Sequence, residues 1–271
     1  KGYSPSVKFP RILGIECVGI VEETTDKDNL PVGSKVISIM GEMGRDYDGS
    51  YAEYVLLPNN QIYKVETDLD WSIFASIPET FYTAFGSFKN LMVKETDTVL
   101  VRGATSGVGI AFSKLLKAKY PNIQLFGSTR NTQKIDKLKK YGFDEVILDI
   151  NGRLDTEKKF DKILELIGPV VIKDSIKHLN ESGIICNTGQ LGEKWYLENF
   201  DPIMQLKENV YLTAFYSGNV SETKIKELFD YIKKYKIHIE PERVFKLEEI
   251  ADAHDYLENS DSFGKVVVVN D

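Results

Sequence analysis

VLVRGATSGVGIAFSKLLK, residues 99–117, is an apolar run, a cluster of glycines and an amphipathic run in immediate succession. VLV reads as a buried strand, and GIAFSKLLK reads as the helix that the strand feeds. Between them stand Gly103, Gly107 and Gly109. Glycines there permit a tight turn and let backbone N–H groups approach a pyrophosphate closely, while the helix start adds the positive end of its dipole. The spacing alone also fits an ordinary turn. With a strand before it, a helix after it and a second strand, IQLFGS (123–128), on cue, it reads as a dinucleotide-binding element. Gly103, Thr105, Ser106, Gly107, Val108 and Gly109 are its candidate cofactor contacts.

The end of the second strand bears on which dinucleotide is bound. An NAD site uses an acidic residue about 20 residues past the glycines to accept the ribose 2'-hydroxyl. Here the chain runs GSTRNTQK (127–134), with no acid before Asp136. Ser128, Arg130 and Lys134 offer a hydroxyl and two cations, suited to a 2'-phosphate. A solvated loop is the plainer alternative; the expectation is NADPH.

Beyond this element the alternation continues through EVILD (145–149), FDKILELIG (160–168), VVIKDSIKHLN (170–180) and GIICNTG (183–189). Strands and helices in turn imply a parallel sheet covered on both faces. Ahead of it lie short β-prone runs, CVGIVEE (17–23), SKVISIM (34–40) and YAEYVLLP (51–58), separated by turn-rich segments. IPETFYTAFGSFKNLM (77–92) then reads as a helix with Pro78 at its start. Near the C-terminus SETKIKELFDYIKKY (221–235) carries Ile225, Leu228, Phe229 and Ile232 on one stripe, and GKVVVV (264–269) is a final strand.

Composition narrows the function classes. A net charge of -7 argues against non-specific nucleic-acid binding, which needs clustered cations. No apolar run reaches the roughly 20 residues of a membrane span, and no secretory leader is expected. The two cysteines, Cys17 and Cys186, lie far apart in apolar runs, which suggests a reducing cytoplasm. His178, His238 and His254 show no zinc-ligand spacing. A Gly-x-x-x-Gly-x-Gly turn also occurs in short-chain dehydrogenases, but no tyrosine here has a lysine four residues on, and the motif lies mid-chain.

These segments together resemble the medium-chain dehydrogenase/reductase superfamily, in its zinc-free quinone oxidoreductase (zeta-crystallin-like) branch. The resemblance runs through DGSYAEYVLLP (48–58), IPETFYTAFGSF (77–88), VRGATSGVG (101–109), LELIG (164–168), GIICNTGQLG (183–192) and FGKVVVV (263–269). LGIECVGIV (13–21) resembles the family's Gly-His-Glu segment with Ile15 at the position of the zinc-binding histidine and Glu16 retained. The resemblance implies an α/β fold. A partial GroES-like β-rich catalytic domain would span 1–80, a doubly wound Rossmann domain 81–217, and a segment returning to the first domain 218–271.

It further implies hydride transfer from NADPH to a quinone or similar conjugated carbonyl. Two alternatives stand beside that: an alkenal or enoyl-thioester reductase, and a non-enzymatic NADPH-binding protein. By the resemblance Thr83 contacts the nicotinamide end, Asn187, Thr188 and Gly189 flank it, Lys134 binds the 2'-phosphate and Lys265 reaches the cofactor. Tyr3 matches a cleft tyrosine and is the catalytic candidate. The first strands of the catalytic domain are expected to lie upstream of Lys1, and a homodimer is expected. Asp149 departs from the family by standing where some members place a tyrosine. Cys17 and His254 read as packing residues. Tyr82, Trp195 and Tyr196 read as either packing or cleft lining.

Overall fold

The computed structural model describes residues 6–258 and 263–270. Its first half holds strands β1 (Glu16–Ile20), β2 (Lys35–Ile39) and β3 (Tyr63–Lys64), then helices α1 (Trp71–Ala75) and α2 (Pro78–Asn90). An alternating series follows: β4 (Thr98–Arg102), α3 (Gly107–Lys119), β5 (Gln124–Thr129), α4 (Ile135–Lys140), β6 (Glu145–Ile150) and β7 (Arg153–Leu154). It continues with β8 (Phe160–Glu165), α5 (Ile172–Lys177), β9 (Leu179–Asn187), α6 (Pro202–Gln205) and β10 (Tyr211–Ala214). The chain closes with α7 (Glu222–Lys234), β11 (Arg243–Lys246), α8 (Ile250–Glu258) and β12 (Val266–Val269).

Two compact units result. One comprises residues 1–82, 217–234 and 238–271, and the other residues 83–216 and 235–237.

In the first unit β1, β2 and β3 form an antiparallel sheet, and β11 pairs β12 in parallel. Its core gathers Ile37, Ile39, Met43, Phe74, Ile77 and Leu228, all buried. The stripe on α7 turns inward as its spacing dictates, and Phe229 meets Phe74 edge-on with ring centres 6.0 Å apart. The expected strand YAEYVLLP does not form. Its hydrogen bonds are isolated ones, such as Tyr51 N–H to Leu13 O, so no ladder builds, and Tyr54 and Leu56 project outward. Just ahead of the segment Gly49 crosses close over Gly14, where a Cβ would stand 2.3 Å from the carbonyl oxygen.

The second unit is built on a seven-stranded sheet of order β10-β9-β8-β4-β5-β6-β7. Every pairing in it is parallel except that of β7 with β6. The order reverses beside β4, which has β5 on one side and β8 on the other. The crevice at the carboxyl ends of those strands is the topological switch point where open α/β sheets bind ligands. One face of the sheet buries Leu100, Phe126, Ile163, Ile185 and residues of α5. The apolar side of α3, with Phe112, Leu115 and Leu116, is buried as well.

Candidate active site

The glycine turn follows β4. Gly103 has φ +85°, the left-handed region that glycine enters without strain. Ser106 then caps α3: its Oγ accepts the N–H of Gly109 at 3.1 Å and its hydroxyl donates to the carbonyl of Gly103 at 2.9 Å. A Cβ on Gly109 would lie 2.6 Å from the carbonyl oxygen of Ala104, so the third glycine is required by the close packing of turn on helix. Gly127 on β5 plays a matching part that the motif does not reveal, since a Cβ there would meet Ala104 and Phe143 at under 3 Å. Thr105, Gly107 and Val108 are half-buried in the same turn and first turn of helix.

Ser128 is inside β5 and buried; its Oγ accepts the N–H of Gly103 at 3.1 Å, and its carbonyl accepts the N–H of Ala104. It braces the glycine turn. Arg130 is exposed just past the strand, and half-buried Lys134 closes a single 3-10 turn, Thr132–Lys134, in which Asn131 Oδ1 accepts the N–H of Gln133.

A third cluster joins α2 to the end of β9. Ser87 donates its hydroxyl to the carbonyl of Thr83 at 2.7 Å, so the 2.9 Å contact between Ser87 and Thr188 has Thr188 as donor. Thr83 is buried. The N–H groups of Thr188 and Gly189 bond the carbonyl of Glu165. A Cβ on Gly189 would stand 2.1 Å from the Leu166 carbonyl, so glycine lets the two loops touch. Among the described residues Asn187 Oδ1 is buried with no hydrogen-bond partner. That orphan, with the glycine cradle, fits a ligand carrying both a phosphate and an amide N–H.

Beneath these loops lies a charged cluster that sequence reading missed. Arg102, wholly buried at the end of β4, donates from Nε to Asp149 at 2.8 Å. Its Nη1 donates to Asp174 at 3.0 Å and to Ser175 Oγ at 2.8 Å. Ser175 in turn donates to Glu165, its neighbour across the β4–β8 pairing being Arg102 itself. Glu165 Oε1 accepts the N–H groups of Ile167 at 2.8 Å and Gly168 at 3.1 Å. Burial pushes the Glu165 carboxyl up to about 7, against the opposing pull of Arg102, Ser175 and the two amides. An Arg before the first glycine and an acid in LELIG were the available signals.

In the β-rich unit Glu16 finds its partners. Oε1 meets the ammonium of Lys265, and Oε2 accepts the N–H of Glu79 at 2.8 Å in the first turn of α2. Lys265 is thus engaged with Glu16. Cys17, next along β1, is pushed up to about 12 by burial and by the Glu16 charge, an inert thiol. Tyr82 donates to the carbonyl of Asn219 at 2.7 Å. His254, expected on an inner face, is exposed on α8 with its ring edge against Tyr51. Trp195 and Tyr196 are exposed, and Tyr3 lies outside the described residues. Among the described residues no group of three or more His, Cys, Asp or Glu could hold a metal ion.

Comparison with known proteins places this geometry. The family model for the alcohol dehydrogenase GroES-like domain matches residues 1–67, and the model for zinc-binding dehydrogenase matches residues 141–268. The chain belongs to the medium-chain dehydrogenase/reductase superfamily, in its quinone oxidoreductase-like branch. Within that superfamily it is 26% identical to the mitochondrial NAD(P)H oxidoreductase RTN4IP1 of Dictyostelium discoideum, over all of this chain and 86% of that protein. It is 27% identical to human quinone oxidoreductase over 70% of this chain and 58% of that protein. Escherichia coli K-12 YhdH, solved with bound NADPH, superposes with a TM-score of 0.82 at 19% identity, over 98% of this chain and 84% of that one. As a member of this superfamily the chain is an oxidoreductase.

Proposed function

We propose that this oxidoreductase transfers a hydride from NADPH to a quinone or a similar conjugated carbonyl without a catalytic zinc. The observation that carries the reading is the Ser106-capped glycine turn at the switch point, followed by Arg130 and Lys134 with no acid before Asp136. The backbone N–H groups of Gly103–Gly109 and the start of α3 would hold the pyrophosphate. Arg130 and Lys134 would take the 2'-phosphate, with Ser128 bracing the turn. Asn187 would accept from the carboxamide of the nicotinamide, and Thr83, Thr188 and Gly189 would shape its seat. When bound, the dinucleotide supplies the hydride.

Zinc independence is supported by the residue set. Ile15, an aliphatic side chain, stands where the resembling segment carries its ligand, and half-buried Cys17 resists ionisation. Without a Lewis acid to polarise it, a simple ketone is a poor acceptor, whereas a quinone or enone spreads the developing charge itself. The name of the human relative points the same way. Tyr3 is proposed to line the acceptor site, Lys265 to reach the cofactor by leaving Glu16, and a second copy to complete a homodimer. We further propose a cytoplasmic location, on the two free cysteines.

The test is a panel of acceptors: a benzoquinone, an ortho-quinone, a 2-alkenal and an enoyl-CoA, each followed by nicotinamide absorbance. Turnover of the quinones fastest is expected. Turnover of the alkenal or the enoyl-CoA alone would move the assignment to the alkene reductases.

A further inference from the structure

Glu165 stands where two loops meet. Its side chain accepts the N–H groups of Ile167 and Gly168, and its carbonyl accepts those of Thr188 and Gly189. The loops are also tied directly, Gly192 N–H to the Ile167 carbonyl at 2.8 Å and Leu191 N–H to the Leu166 carbonyl at 3.2 Å. Gly168, at φ +93°, packs so closely on the second loop that a Cβ would lie 2.7 Å from the Gly189 carbonyl. One wholly buried carboxylate therefore posts the backbone of the first loop, and the loop-to-loop bonds carry that hold to the second.

The charged and titratable groups around it come from three elements. Arg102 is on β4; Asp149, on β6, and Asp174, on α5, share the same guanidinium; Ser175 of α5 bridges Arg102 to Glu165. Asn187, opposite Glu165 on β9, is uncharged. With three carboxylates to one guanidinium, the Glu165 carboxyl is the one reached only through a hydroxyl. A proton arriving on Oε2 would turn the Ser175 hydroxyl away with its proton still on Oγ, and Ser175 Oγ would then accept from both Arg102 and the acid, which its two lone pairs allow. Oε1 would keep its two amide donors, but as a neutral acceptor, and hydrogen bonds to an ionised acceptor are roughly twice as strong.

We infer that Glu165 is a positioning residue whose ionisation sets how firmly the loop after β8, and through it the loop after β9, is held, so that dinucleotide affinity weakens on acidification. The affinity part rests on the proposed placement of the dinucleotide at these loops. The carboxyl titrates in the folded chain near neutrality, which places the change within reach of ordinary conditions.

The experiment has two arms on the whole chain. In the first, the amide signals of Ile167 and Gly168 in the nitrogen-15-labelled protein are followed from about pH 5.5 to 8.5, with no cofactor present. Both should titrate together in the wild type and stay flat in Glu165→Gln. Ser175→Ala should raise their midpoint by removing a hydrogen bond that favours the charged form, and it carries this arm should the Gln variant fail to fold. In the second, affinities for NADPH and NADH are measured over the same range. NADH is included because a phosphate monoester itself titrates near pH 6. NADH affinity should fall about fivefold on acidification in the wild type and be independent of pH, at the weaker value, in Glu165→Gln.

Amides that do not move, or a Glu165→Gln protein with wild-type pH dependence, would overturn the inference. Titrating amides with neither dinucleotide bound at any pH would overturn the functional reading and the affinity part together, and would leave Glu165 as the holder of the loops.

Discussion

The carboxylate of Glu16 lies against the ammonium of Lys265, 249 residues further along the chain, while its other oxygen caps the first turn of α2 through the N–H of Glu79. An acid at the head of an apolar strand is costly to bury alone. Here it has a cation on one oxygen and a helix start on the other, where negative charge is favoured. Glu16 thereby ties β1, α2 and the residue preceding β12 within one unit.

Removing that carboxylate strands both partners. Glu16→Ala is expected to lower unfolding stability by about 1–3 kcal/mol, read from urea denaturation. Lys265→Met should cost less, because the helix cap survives. In the double variant the two losses should fall short of adding, with a coupling of about 1 kcal/mol. Strict additivity would mean the ion pair contributes nothing.

Arg102 is the larger test of the second unit. Its removal leaves Asp149 and Glu165 buried without their cation, so Arg102→Met should destabilise by about 3–5 kcal/mol in the same assay. Lysine has no fork to reach Asp149, Asp174 and Ser175 at once, so Arg102→Lys should restore little.

The pH dependence of stability has a definite sign. The Glu165 carboxyl rises from 4.5 to about 7 on folding, so the folded chain holds the proton more tightly. Its contribution is fully present below the unfolded value and is lost as pH rises through about 7. Urea midpoints of wild type against Glu165→Gln should therefore converge at acid pH and separate as pH rises, the wild type falling relative to the variant. A wild type that gains on the variant over that range would contradict the burial account.

Gly109→Ala should both destabilise, by about 1–3 kcal/mol, and abolish dinucleotide binding, because a methyl at 2.6 Å from the Ala104 carbonyl forces the turn apart. Calorimetry against NADPH separates the two effects when done well below the melting temperature.

Much of this was legible in the residues. The glycine turn and the strand–helix alternation announced a parallel sheet with its switch point, and Pro78 marked the start of α2. What escaped was set by long-range partners. Arg102 in an apolar strand gives no hint of Asp149, 47 residues on, or of Asp174, 72 residues on. The pairing of Lys265 with Glu16 was hidden in the same way, the two standing 249 residues apart. YAEYVLLP has the composition of a strand, but composition does not supply the paired neighbour a strand needs, and among the described residues it has none.

The most direct measurement is anaerobic oxidation of NADPH by 1,4-benzoquinone, with NADH run in parallel. The account predicts one quinone reduced per NADPH consumed, and kcat/KM for NADPH at least about tenfold above that for NADH, the gap that one charge-assisted contact sustains. Equal use of NADH would contradict the roles given to Arg130 and Lys134, and bound NADPH that reduces no acceptor would contradict the enzyme itself.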